Sequence, residues 1–163
     1  MPDEHSVAPA RLIAYLRDHG IEPEILAPGV PMPTVPLAAA AIGVGESAII
    51  KSLLFQTKDG RCVLAIASGP DRVSRAAVAA AVGYPSCGLA SPEVVLAVTG
   101  YPAGGVSPVA HREAVPVVVD RRVTELAEVY GGAGSDELLL RLSTADLLRL
   151  TRAVVADILQ PVG

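Results

Sequence analysis

The chain has no tryptophan, a single phenylalanine, and only 3% aromatic residues among its 163. Proteins that grip single strands by stacking successive bases on aromatic rings need far more of them, so that class is excluded. Positive charge is also scarce: 13 Lys and Arg face 17 Asp and Glu, a net charge of -4. A protein that coats DNA or RNA with cations carries the opposite balance, so DNA is not an expected partner and any RNA contact should be local. The only cysteines, Cys62 and Cys87, lack CxxC spacing and read as reduced thiols, not as a disulfide framework or a metal site. His5, His19 and His111 are too scattered to suggest zinc. No apolar run approaches the ~20 residues that cross a bilayer. The first ten residues, MPDEHSVAPA, lack the basic start and apolar stretch of a secretory signal, so a cytoplasmic location without membrane contact is expected. Neither GxGxxG nor GxxxxGK[ST] occurs, which leaves dinucleotide and P-loop readings unsupported.

What is present is apolar. Hydrophobic residues make up 51% and charged residues 18%, enough to bury a core in one domain spanning 1–163. The spacing of Leu12, Ile13 and Leu16 predicts an amphipathic helix over 10–19. A short strand follows within 21–26, and Thr34 caps an alanine-rich helix over 35–42 that Gly43 stops. Two apolar runs, SAIIKSLLFQT and RCVLAIA, flank KDG and read as a hairpin turning at Asp59 and Gly60. Ser74 and Ser91 open further helices, the second with Pro92 at its first position and Glu93 in its first turn. Strands are expected at 114–120, 126–130 and 137–142, and Ser143 with Asp146 begins a helix over TADLLRLT. The closing AVVADIL reads as a strand or a short helix. This irregular interleaving points to a mixed α/β sheet, not a doubly wound parallel one.

Two features carry chemistry. Lys51 is the one charge between Ala48 and Phe55, on a strand apolar on both faces. Either its stem packs while its ammonium reaches water, or the ammonium is held in a cleft against an electron-rich ligand atom. TGYPAGGVSP, residues 99–108, holds three glycines and two prolines and cannot be helix interior. Gly104 and Gly105 expose backbone N–H groups there, between Pro102 and Pro108, in the manner of preorganised donors to a carbonyl oxygen. Ser107 lacks a GxSxG elbow and reads as a loop-stabilising hydroxyl more readily than as a nucleophile.

The order KSLLF, an alanine-rich helix, SPEVVLAVTGYPAGGVSP, VPVVVD, VYGGAG and LSTADLLRLT resembles the YbaK/prolyl-tRNA synthetase-associated (ProX-like) aminoacyl-tRNA editing domain family over about 34–158. The helix 10–19 would then pack on that core. The resemblance implies a curved, largely antiparallel mixed sheet with surrounding helices, and hydrolysis of the ester joining a wrong amino acid to a tRNA 3' end. It implies no metal and no organic cofactor; the expected partners are the aminoacylated tRNA end and a synthetase such as prolyl-tRNA synthetase. Carried over by position, Lys51 meets the terminal nucleotide or polarises the ester. Gly104, Gly105, Ser107 and Pro108 form the catalytic loop that positions the carbonyl and the attacking water or ribose hydroxyl. Thr34, Tyr101, Val106, His111, Asp120, Gly131, Gly132 and Gly134 are the implied substrate-binding set, with structural roles equally open for Asp120 and the last three. The implied substrates are mischarged tRNAs of the Cys-tRNA(Pro) or Ala-tRNA(Pro) type, deacylated in trans by a free-standing protein through a substrate-assisted mechanism. A non-catalytic docking module of the same fold and a small-ester hydrolase are the competing readings. The chain departs from the family after Pro108, where Val109, Ala110 and His111 replace an aromatic and a glycine. His111 is open to two readings there, a titrating group at the pocket edge or a solvent-exposed side chain.

Overall fold

A computed structural model describes residues 4–161. Residues 1–3 and 162–163 of the expected 1–163 domain lie outside the described residues. The elements run α1 (Glu4–Asp18), β1 (Glu24–Leu26), α2 (Val35–Ile42), β2 (Ile50–Gln56), β3 (Cys62–Ser68), α3 (Arg75–Val82), β4 (Gly88–Leu89), α4 (Pro92–Thr99), β5 (Val117–Asp120), β6 (Glu128–Gly132), β7 (Leu139–Ser143), α5 (Thr144–Thr151) and β8 (Val154–Ala156). The mixed, largely antiparallel architecture is present and is divided in two. A five-stranded sheet has the order β4-β2-β3-β5-β8, and a three-stranded antiparallel sheet the order β1-β7-β6. A parallel bridge between Ile49 and Tyr130 links them. In the larger sheet β4-β2-β3 is antiparallel, while β3-β5-β8 is parallel.

The hairpin β2-β3 pairs Ile50 with Ser68 through Gln56 with Cys62, and Gly60 takes φ 92° in its turn. Strict alternation on β3 then feeds two cores. Leu64 and Ile66 join Ile50, Leu54, Leu140 and Leu147 on one face, where Leu12 and Leu16 of α1 also pack. Val63 and Ala65 join Phe55, Val78 and Ile158 on the other. A third cluster, Met32, Ala38, Ala39, Ile49 and Leu139, lies under α2. AVVADIL forms the edge strand β8, and the polar stretch 121–125 winds into a 3-10 turn. Among the described residues, no helix is long and apolar enough to cross a membrane.

Four helices open alike: Thr34, Ser74, Ser91 and Ser143 each accept from the backbone N–H three residues on, satisfying a donor that the helix leaves free. Three close alike too, on Gly43, Gly83 and Gly100 at φ 73–79°. Helix α5 closes instead on exposed Arg152 at φ 51°. A side chain in that left-handed region costs roughly 1–2 kcal/mol, against a smaller backbone-entropy cost for glycine. Arg152→Gly is therefore expected to stabilise the chain by about 0.5–1 kcal/mol and to raise Tm by about 2–4 °C by calorimetry. A Tm below that of the parent chain would contradict the assignment.

Candidate active site between the β2 edge and the glycine loop

β4 covers only Phe55 and Gln56, and β6 meets the start of the strand at the Ile49–Tyr130 bridge, so the outer edge of β2 is uncovered around Ser52. Leu54 accepts from Ala90 N on this edge and Ile49 accepts from Gly69 N on the β3 side, so Ser52 turns its own backbone groups outward. A cavity of about 400 Å³ lies along this edge, walled by Thr34, Lys51, Ser52, Gly104, Val106 and Gly132 and floored by Ile49 and Ala38. Its volume falls in the range of small-ligand sites. Five residues singled out from the sequence thus meet here: Thr34, Lys51, Gly104, Val106 and Gly132.

Lys51 Nζ donates to the carbonyls of Gly69 (3.1 Å) and Asp71, which ties the β3–α3 connection to the cavity wall. An ammonium has three N–H donors, so one remains. Burial lowers the Lys51 pKa below the ordinary lysine value, and the Asp71 carboxylate pulls it part of the way back. Thr34 uses its hydroxyl oxygen to accept from Leu37 N, capping α2 beside the same wall.

The glycines of the loop are explained by close approach. Gly104 takes φ 89°. A Cβ on Gly105 would lie 2.7 Å from Ser135 N, and one on Gly132 would collide with Val106 O. Gly134 N donates to Gly105 O at 2.9 Å, so loop 104–108 and the end of β6 are clipped backbone to backbone. Gly131 and Gly132 are accordingly strand residues of β6, and only Gly134, at φ 106°, turns. Gly131 has a different neighbour, since a Cβ there would press on Ile50 at 3.0 Å and on Pro108. Gly105 N closes a turn onto Pro102 O, while the N–H groups of Gly104 and Val106 find no acceptor among the described residues.

The remaining residues of the implied set lie outside the cavity. Ser107 is fully buried, and its Oγ accepts from Val109 N at 3.3 Å. Pro108 is buried behind β6. Asp120 ends β5, accepting from Ile158 N (2.9 Å) and Arg122 N (3.1 Å), which fastens the β5–β8 end of the sheet. Tyr101 is fully buried and donates to Ala110 O at 2.9 Å. His111 is half-buried, with Nε2 2.7 Å from Ser107 O and its ring edge-on to Tyr101. A carbonyl only accepts, so Nε2 carries the proton.

Sequence reasoning missed two participants. Ser52 Oγ is buried at the cavity wall without a hydrogen-bond partner among the described residues; the only signal was a hydroxyl on the Ile50 and Leu54 face of an apolar strand. Arg11 of α1 braces the glycine loop from behind. It donates to Thr99 O at 2.8 Å, lies 4.8 Å from the centre of the Tyr101 ring, and lays its guanidinium against Gly100. Tyr101 in turn holds Val109 and Ala110, the latter at φ 66°.

Burial pushes the His111 pKa below 6.5, against the Ser107 hydrogen bond and with help from Arg11. The unfolded chain therefore takes up this proton at higher pH than the folded one. The contribution is fully present above about pH 6.5 and is lost as pH falls through the lower folded value. Between pH 7 and pH 5, Tm is expected to fall further in the parent chain than in His111→Gln, whose amide can still donate to Ser107 O. Equal losses would contradict the assigned protonation.

Known proteins bear on this geometry. The family model for the aminoacyl-tRNA editing domain matches residues 30–150. A proline–tRNA ligase of Streptococcus equi subsp. equi (strain 4047) is 33% identical over 103 residues, 63% of this chain and 16% of the ligase. This chain thus corresponds to a small part of that enzyme. An uncharacterised protein of Bacillus subtilis (strain 168) is 30% identical over 114 residues, 70% of this chain and 72% of that one. A solved structure provisionally assigned as a trans-editing enzyme for prolyl tRNA synthetase superposes with a TM-score of 0.83 at 30% identity, over 99% of both chains.

Proposed function

Because the chain belongs to the aminoacyl-tRNA editing domain family, we propose that it is a deacylase acting in trans on mischarged tRNA of the Cys-tRNA(Pro) or Ala-tRNA(Pro) type. The observation that carries this reading is the meeting of Lys51 with Gly104 and Val106 on one cavity. The structural neighbour provisionally assigned as a trans-editing enzyme supports action in trans.

In this mechanism the Gly104 and Val106 N–H groups hold the ester carbonyl and stabilise the oxyanion, while the third Lys51 N–H fixes the terminal nucleotide. The oxygen of water attacks the carbonyl carbon, the bond to the ribose oxygen breaks, and the proton passes to that oxygen. The products are the free amino acid and a tRNA with its hydroxyl restored. The neighbouring ribose hydroxyl or, in a cysteinyl substrate, its side-chain thiol can take the place of water in the attack, with water then completing the hydrolysis. No protein nucleophile is needed, in keeping with Ser107 being buried with its Oγ turned to Val109 N. Partnership with prolyl-tRNA synthetase belongs to the same proposal, supported by the relation to proline–tRNA ligases.

Incubation with a panel of mischarged tRNAs tests the reading. Hydrolysis of at least one member well above its spontaneous rate is expected. A stoichiometric complex without turnover would favour the docking module, and turnover only of small esters would favour an esterase.

A further inference from the structure

The face of β2 that carries Lys51 also carries Leu53 and Phe55, and there it forms a second groove of about 610 Å³. Leu53, Phe55 and Leu89 floor it, and Leu89 is 67% exposed. Arg72 and Arg75 wall it, and Lys51 belongs to both this groove and the cavity described above. Six of the eleven arginines are ion-paired, and the two in this groove are among the rest. Arg17, Arg61, Arg121, Arg122, Arg141 and Arg149 each lie within 3.5 Å of a carboxylate. Arg72 and Arg75 have no carboxylate partner among the described residues, although acidic groups outnumber basic ones in the chain.

We propose that this groove seats the 3' single strand of the tRNA next to its terminal nucleotide, with phosphodiesters at Arg72 and Arg75 and base faces on Leu53 and Leu89, above the buried Phe55. Guanidinium groups match phosphate oxygens with paired donors, and the aliphatic surface of Leu53 and Leu89 accepts a base by dispersion. The strand then passes Lys51, which stands where the groove meets the cavity, and delivers the ester to the glycine loop. Recognition is thus local, and a chain of net negative charge binds RNA through one short cationic edge. The assignment rests on the deacylase reading for the identity of the strand.

The test compares Arg72→Ala/Arg75→Ala with Arg112→Ala/Arg152→Ala, which removes the same charge from two exposed arginines that also lack a carboxylate partner among the described residues. Binding of uncharged tRNA is followed by anisotropy over a salt series, and deacylation is followed on mischarged tRNA and on an aminoacyl ester of adenosine alone. The groove variant is expected to weaken tRNA binding about 10- to 100-fold and to reduce the slope of log K against log salt by about 1.4, at ~0.7 per single-strand phosphate contact. KM for mischarged tRNA should rise with kcat kept, turnover of the adenosine ester should not change, and the control variant should bind as the parent chain does. Unchanged affinity and slope in the groove variant, or an equal loss in the control, would overturn the proposal. If the parent chain hydrolyses neither substrate, the deacylase reading fails, while the binding arm still judges the groove.

Discussion

Lys51→Ala is expected to lower kcat/KM for deacylation of a mischarged tRNA by about 100-fold or more, the cost of removing one charged, partly desolvated contact at a reacting centre. The loss should leave the far-UV spectrum unchanged, because β2 keeps its register with β3 through backbone bonds. Its pH dependence separates charge from packing. Burial lowers the Lys51 pKa, so the ammonium is lost at lower pH than an ordinary lysine would allow. Rising pH should therefore weaken substrate binding through that lowered range, whereas Lys51→Arg, which keeps its charge, should move the alkaline limb upward and recover part of the activity. An undiminished kcat/KM in Lys51→Ala would remove the residue from the site.

Gly132→Ala is expected to have the largest structural effect of any single methyl added here. The new Cβ would press into Val106 O, and a backbone carbonyl cannot swing aside as a flexible side chain can. Overpacking of this kind costs typically 1–3 kcal/mol and sometimes more, so a loss of about 3 kcal/mol is expected by denaturant unfolding. Activity should fall with it, since Val106 and Gly104 line the cavity that the displaced loop would distort. Gly88→Ala is the control: it has open space around its Cβ and no positive φ, and its stability should change little. A Gly132→Ala protein as stable as Gly88→Ala would contradict the clipped arrangement of loop and strand.

Local signals explain how much was legible beforehand. The helix caps at Thr34, Ser74, Ser91 and Ser143 and the Asp59–Gly60 hairpin depend on neighbours within four residues, and they form where the residues place them. Helix α1 begins at Glu4, six residues ahead of the expected start, because Pro9 lies inside it while periodicity alone marked only the part from residue 10. The division into two sheets depends on pairings across the chain, such as Glu24 with Arg141, that no local pattern encodes. The candidate site divides the same way. Lys51 and Gly104 stood out as a charge in an apolar strand and a glycine in a rigid loop. Ser52 and Arg11 did not, because a serine in a strand and an arginine on a helix become informative only when their surroundings are known. Gly131 and Gly132 extend β6 two residues past the strand expected at 126–130, and the close approach of residues 105–106 and of Ile50 is why glycine stands at both.

The most direct test of the account is to titrate the isotope-labelled protein with an amide-linked, non-hydrolysable analogue of an aminoacyl-adenosine and to follow its backbone amides by NMR. The account predicts that the largest shifts fall on Gly104 and Val106, with Thr34, Lys51, Ser52 and Gly132 next, and that Asp120 stays unmoved. Saturable shifts centred elsewhere, with Gly104 and Val106 unperturbed, would contradict it.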